Sequence, residues 1–314
     1  MVRLLRQGLV FLAVAIALYA LAMFVLARVN FHGHPLIYRT GSYYHLKGGI
    51  AYEKFKEFDA AAHYDVVVLG SSHAYRGYDP RVFAAHGLRM FNLGSSAQTP
   101  LNTYWLLKEY VTAANCGLLV LDLYEGAMIN EGLESTSELV MNMTSDRAAI
   151  GMVTDLRDLR GLNLLALRWC RAGAGPDFTD STYRSGGFAE RTDSLKSPIT
   201  PKGHTEVQYR PEQLRSLGKC LELCQQRGIP VVLVTHYYPG TSDRVGHEAF
   251  RATIDSVRAP FKVPYLDLAY AHQLDDQHHF YDHNHLNLAG VRLFNRALIP
   301  LLGKEAGQHQ PPTD

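Results

Sequence analysis

Five short, largely apolar runs set what this chain can fold into. They are Asp65 to Leu69 (DVVVL), Met90 to Leu93 (MFNL), Leu118 to Leu123 (LLVLDL), Ile229 to Thr235 (IPVVLVT) and Val263 to Leu268 (VPYLDL). A strand that is apolar at consecutive positions has both faces covered, as in buried parallel sheets. Helical signals fall between the runs. Asp79 can N-cap a short helix with Pro80 at its first position, and a second helix spans about Leu101 to Ala114. Pro211 opens a helix that ends at Arg227 before Gly228, a natural C-terminal cap. A helix with Phe250, Ile254 and Val257 on one face follows, and Leu288 to Leu302 forms the last. The alternation predicts an α/β fold, a parallel sheet with helices on both faces. Ligands of such sheets bind beyond the carboxyl ends of the strands.

Residues 126–209, between the third and fourth strands, break the alternation. The stretch 145–171 reads as helical, whereas 172–204 is rich in Gly, Ser, Thr and Pro and reads as loop. Insertions of this length are usually functional or disordered. This one leaves from the carboxyl end of the third strand, so its second half is expected to be either a lid over the site or disordered.

The chain opens with Arg3 and Arg6, then an apolar stretch from Gly8 to Ala27 closed by Arg28. About 20 apolar residues suffice to cross the hydrocarbon core as a helix. The apolar region of a cleaved signal peptide is shorter, roughly 7–15 residues. An uncleaved, single-pass signal anchor is therefore expected. Its flanking charges place the N-terminus in the cytoplasm and the rest outside, in the periplasm or on the cell surface. The expected organisation is a cytoplasmic tip and anchor over 1–28, a linker or short helical stem over 29–62, one domain over 63–303 with the insertion 126–209, and a disordered tail over 304–314. A net charge of +1 leaves no electrostatic footprint for nucleic acid. Among the cysteines, Cys224 shares an apolar helical stripe with Leu214, Leu217 and Leu221 and reads as core packing, and a Cys116–Cys170 bridge is one admissible pairing. His278, His279 and His283 cluster in sequence without the ligand spacing of a zinc site, so neither metal nor cofactor is expected.

Three motifs fall at one edge of the predicted sheet. Gly70-Ser71-Ser72-His73 ends the first strand and Asn92-Leu93-Gly94-Ser95-Ser96 ends the second. Asp282-His283-Asn284-His285-Leu286-Asn287 leads into the last helix, with Asn287 as its N-cap. A serine and a distant Asp-x-x-His are the parts of a nucleophile–base–orienter triad. A serine hydroxyl is a weak nucleophile and needs a base within hydrogen-bond reach. His285 would take the Ser72 proton, and Asp282 would fix the imidazole tautomer.

On these blocks the chain resembles the SGNH, or GDSL-type, hydrolase superfamily over roughly residues 64–303, less the insertion. The resemblance implies a flavodoxin-like three-layer α/β/α sandwich. It also implies Ser72 as nucleophile, Asp282 as orienting acid, His285 as base, and the backbone N–H groups of Ser72 and Gly94 as oxyanion donors. Two departures stand out. Ser71 replaces the family's Asp, and Leu121 to Glu125 lacks the asparagine that completes the oxyanion hole. Gln98, Ser95 and Ser96 are candidates for the missing donor. The Gly-Ser-Ser form is similar to the membrane-anchored branch that acts on cell-envelope polymers, which includes the D-alanyl transfer proteins of teichoic acid and the alginate O-acetylating proteins. Members of that branch are paired with membrane O-acyltransferases.

Three activities are compatible with that resemblance. One is an esterase or deacylase acting on an acylated envelope glycan or small ester through an acyl-enzyme. A second is an O-acyltransferase working with a membrane acyltransferase partner. The third is a non-catalytic accessory protein of the same fold. His73, Arg76, Tyr124 and His236 are candidate pocket-lining residues. The plainer readings are that His73 packs at a helix start and that Arg76 pairs with Asp79 on the surface. The charge asymmetry around the apolar span gives a direct test of topology: alkaline phosphatase fused to the C-terminus should be active in cells, and an inactive fusion would contradict the exported orientation.

Overall fold

The computed structural model describes residues 1–41, 44–201, 203–272 and 274–308. The five apolar runs form one parallel sheet of β1 (Tyr64–Leu69), β2 (Met90–Asn92), β3 (Cys116–Asp122), β4 (Val231–Thr235) and β5 (Tyr265–Asp267), in the spatial order β2-β1-β3-β4-β5. This is the doubly wound order with its switch point between β1 and β3. Alternate strand residues point to opposite faces. Val67, Leu69, Leu119, Leu121 and Leu233 enter one core, with Phe55, Leu106, Leu217 and Phe250. Those partners come from helices α2 (Gly49–Glu57), α5 (Pro100–Tyr110), α10 (Pro211–Arg227) and α11 (Arg244–Arg258). Val66, Val68, Leu118, Val120, Val232 and Val234 enter the other core, with Tyr78, Phe83, Val291 and Phe294. That face is covered by α3 (Ser72–Gly77), α4 (Pro80–Ala84) and α13 (Leu288–Gln308), on which the short α12 (Asp276–His279) packs. The parallel sheet with helices on both faces that the alternation predicts is what the chain adopts, in the three-layer α/β/α sandwich that the resemblance implies.

Element boundaries differ where tertiary partners intervene. Helix α5 stops at Tyr110, short of Ala114. Arg227 donates to the carbonyls of Leu107, Lys108 and Val111, and Asn115 Nδ2 donates to that of Tyr110. These side chains satisfy the orphan carbonyls of the last turn. Helix α13 runs past Leu302 to Gln308, so the start of the expected tail is helical, and 309–314 lie outside the described residues. The stem is more than a linker, because α2 buries Lys54 and Phe55 against the domain. The Cys116–Cys170 bridge is absent. Cys116 is buried at the foot of β3, Cys170 ends another helix, and all four cysteines are free.

Among its described residues the insertion holds the helices α6 (Glu125–Ile129), α7 (Leu133–Asn142), α8 (Asp146–Leu156) and α9 (Arg160–Cys170), and then a hairpin pairing Tyr183–Arg184 with Phe188–Ala189. The Gly- and Ser-rich half is a strap along the open edge of β2. Asn92 N–H donates to the Gly186 carbonyl, and Phe188 is fully buried in the core of the α13 face. Leu195 N–H donates to the Phe280 carbonyl, and Leu288 N–H donates to that of Arg191. Covering an edge strand satisfies groups that would otherwise be open to pairing. Around these contacts the segment is structural rather than disordered. Composition hid this, because an extended strap buries single side chains without any periodic pattern.

Helix α1 (Val2–Arg28) is long and apolar enough to cross a membrane. Its C-terminal part packs on the domain, with Met23 and Ala27 against Ile37, Met141 and Leu167, and Tyr19 Oη donating to Asn163 Oδ1. At the carboxyl edge of the sheet His247 ties three elements together. Its Nδ1 donates to Glu125 Oε1 (2.7 Å) and its Nε2 to Asp267 Oδ1 (3.1 Å). Burial alone would lower the His247 pKa, but the two carboxylates raise it to about 9. A raised folded-state value means that the bridge's stabilisation is complete below the unfolded imidazole value and is lost as pH rises through about 9. Urea melts at pH 6 and pH 10 should therefore show a loss of stability at the higher pH that is smaller in His247→Gln.

Candidate active site

β1 ends at Leu69, level with Leu121 of β3, and the chain turns sharply at Gly70. A Cβ on Gly70 would lie 2.8 Å from the Asp122 carbonyl oxygen and 3.0 Å from Ala74 Cβ, so only glycine lets α3 start this close to β3. Ser71 N-caps α3, its Oγ accepting from His73 N–H at 3.3 Å. Ser72 is thereby fixed as the first helical residue, half-exposed at the sheet's carboxyl edge.

The histidine arrives on a closed loop. Phe280 and Leu286 pair across it, and Tyr281 N–H donates to the His285 carbonyl. Asn287 caps α13, Oδ1 accepting from Ala289 and Gly290 N–H, while Nδ2 donates to the His278 carbonyl. Within the loop, Asp282 Oδ1 accepts from the N–H groups of Asn284 (3.0 Å) and His285 (2.8 Å). Asp282 Oδ2 lies 2.8 Å from His285 Nδ1, and His285 Nε2 lies 2.7 Å from Ser72 Oγ. Ser72, His285 and Asp282 are thus joined in one unbroken line. His283 points away and is exposed.

The electrostatics follow from this packing. Burial would raise the Asp282 carboxyl, but the His285 ring and the loop N–H groups bring it down to about 2. It is ionised across the physiological range and holds the Nδ1–H tautomer, leaving the Nε2 lone pair facing Ser72. Burial lowers the His285 pKa, Asp282 opposes this, and Arg76 and His236 add to the lowering. The packing thus favours the neutral imidazole at His285.

All four pocket candidates gather around this line. His73 stacks on His285 with centroids 4.7 Å apart, and on its other side on His236 at 4.1 Å. The Tyr124 ring lies 4.3 Å from His73. The Arg76 guanidinium sits over Tyr75 and over Tyr281, the ring stacked on His285. The surface pairing with Asp79 does not form, because Asp79 is bonded to Arg81 at 2.7 Å.

The expected oxyanion hole needs correction. Gly94 N–H donates to Asn92 Oδ1 at 3.0 Å, so it is engaged inside the β2 turn. Gly94 is required there for space, since a Cβ would lie 2.8 Å from Ala74 Cβ and 2.9 Å from the Gly70 carbonyl oxygen. Gln98 is buried, accepting from Ser95 Oγ and donating to Thr103 Oγ1. Ser96 donates through both N–H and Oγ to Glu138. That leaves Ser72 N–H, which has no partner within its helix.

Three surrounding groups escaped sequence reasoning. Lys54, in the supposed stem, donates its ammonium to the Gly94 carbonyl, and burial pushes its pKa down to about 7. Asp122 is buried and accepts from Tyr78 Oη (2.8 Å) and His236 Nδ1 (3.2 Å). A carboxylate inside an otherwise apolar strand was the available signal. Tyr281 had none, since an aromatic next to a catalytic acid is unremarkable in sequence.

No family model matches the chain, and neither does any curated protein. Solved structures similar to it include a GDSL-like lipase from Bacteroides thetaiotaomicron, at 13% identity over 81% of this chain and 98% of that one, with a TM-score of 0.43. Another is a catalytic mutant of an acetylxylan esterase from Geobacillus stearothermophilus, at 13% identity over 79% and 95%, with a TM-score of 0.42. A third is a putative acylhydrolase from Bacteroides fragilis, at 13% identity over 77% and 88%, with a TM-score of 0.40. Likeness this remote carries no conclusion about activity, which has to come from the side chains. Those make a direct statement about His285: in ¹⁵N NMR its ring should titrate below the ordinary imidazole value, and lower still in Asp282→Asn, which removes the opposing charge.

Proposed function

We propose that the chain is a membrane-anchored serine esterase that removes acyl groups from an acylated glycan outside the cytoplasm. The observation that carries the reading is the line Ser72 Oγ–His285 Nε2, His285 Nδ1–Asp282, at 2.7 and 2.8 Å. Ser72 Oγ attacks the acyl carbon while its proton passes to His285 Nε2. The oxygen of the acyl group becomes an oxyanion facing Ser72 N–H. Collapse breaks the ester bond, and the leaving alcohol takes the proton from His285. A water then gives its proton to the same nitrogen, attacks the acyl carbon and releases the acid, returning the proton to Ser72. Asp282, ionised throughout, stabilises each imidazolium. An oxyanion donor is worth about 3–4 kcal/mol, so a hole without the Gly94 N–H supports slow turnover.

Support for an extracytoplasmic site comes from the apolar helix and its flanking Arg3 and Arg6. A glycan substrate, and transfer to a sugar hydroxyl with a membrane O-acyltransferase partner, rest on the resemblance of the Gly70-Ser71-Ser72 block. The detergent-solubilised chain should hydrolyse p-nitrophenyl acetate, and a fluorophosphonate should label Ser72 and not Ser71. His285→Ala should lose roughly 10³-fold or more in kcat and Asp282→Asn should be severely impaired, whereas His283→Ala should change little. Labelling that survives Ser72→Ala, or equal small effects at all three positions, would rule out the triad.

A further inference from the structure

The reacting pair is bridged twice. Ser72 Oγ meets His285 Nε2, and one residue further along on α3 and one residue back on the loop, His73 Nε2 lies 3.1 Å from the Asn284 carbonyl oxygen. Two neighbouring bonds therefore join the same two segments. A carbonyl can only accept, so His73 carries its proton on Nε2 and its Nδ1 is an acceptor. That acceptor is matched by Ser71 Oγ at 3.2 Å, and the same Oγ accepts from His73 N–H. His73 is 3% exposed and lies between the His236 and His285 rings. Burial, with those two rings beside it, keeps its pKa well below the ordinary imidazole value. It stays neutral, with one donor and one acceptor, both used.

The two bonds differ in what catalysis does to them. When Ser72 is acylated, its Oγ becomes an ester oxygen with no proton to donate, and the direct bond to His285 is lost. The His73–Asn284 bond involves no reacting atom and persists. Asp282 fixes His285 within its loop but does not fix the loop to α3.

Resting on the esterase reading, we propose that His73 is a positioning residue, a strut that holds the Asp282–His285 loop against α3 while Ser72 carries the acyl group. It keeps the imidazole in place to activate the second nucleophile, and Ser71 holds the strut in the required tautomer. Its loss should slow deacylation more than acylation. A role confined to packing would lower both steps through stability, or neither.

The test uses the full chain in detergent with p-nitrophenyl acetate, following both the pre-steady-state release of p-nitrophenol and the steady state. His73→Phe keeps a stacking ring but removes the donor. It should keep a burst with a rate within a few-fold of wild type, while kcat falls by about 10²-fold, the scale of a roughly 1 Å misplacement, and KM falls with it. His73→Gln carries an N–H at similar reach and should recover most of kcat. Ser71→Ala should lose kcat by an intermediate amount. The strut is overturned if His73→Phe turns over like wild type, if it slows burst and steady state equally, or if Gln is no better than Phe. Should His73→Phe fail to melt cooperatively, the comparison of His73→Gln and Ser71→Ala with wild type decides in the same way. A wild-type chain inert to both the ester and a fluorophosphonate would overturn the esterase reading and the strut together. A reactive wild type with an ordinary His73→Phe would overturn the strut alone.

Discussion

The hydrogen-bond register of β1 with its two parallel neighbours is the constraint on which the rest depends. Val68 lies opposite Asn92 on one side and Val120 on the other, and Asp122 in turn lies opposite Val234. Four strand ends therefore reach one edge at one level. The turn at Gly70, the loop after Asn92, the Asp122–Tyr124 segment and His236 all emerge around a single point. A slip of one residue in β1 would exchange the two cores, because Val66 and Val68 feed one and Val67 and Leu69 the other. The site inherits its precision from the burial of both faces.

The histidine loop is held by a different device. Its hydrogen bonds are mostly internal: Asp282 accepts from two N–H groups of its own loop before it reaches the imidazole. A carboxylate with several donors is stabilised in its charged form, which offsets the cost of half-burying it. Asn287 and the Phe280–Leu286 pairing fix the loop to α13. The rings of His236, His73, His285 and Tyr281 then form a continuous stack beside Ser72. Rings on both sides leave the His285 imidazole little freedom to turn.

Elements far from the chemistry serve the same edge. The strap of 186–195 joins β2 to the loops on either side of the histidine. Lys54, from α2, holds the Gly94 carbonyl, and Glu138, from α7, holds Ser96. The β2 loop is thus fixed from segments outside the sheet, and its donors are directed inward. The Gly94 N–H and the Gln98 amide are accordingly engaged within the fold.

By itself the sequence determined what depends on local pattern. Continuous apolar runs specify buried parallel strands, and Pro211 and Gly228 mark the ends of α10. The spacing Asp282-x-x-His285 is short enough for both side chains to share one loop, so the members of the candidate triad were legible before any coordinates. Tertiary structure alone decided whatever requires a partner distant in the chain. Ser72 and His285 are 213 residues apart, and only the fold brings them within 2.7 Å. The burial of Phe188, the capture of Gly94 N–H by Asn92 and the bond from His73 to Asn284 have no signature in composition or periodicity. Each is a single polar or apolar contact whose worth is set by which segment folding places beside it.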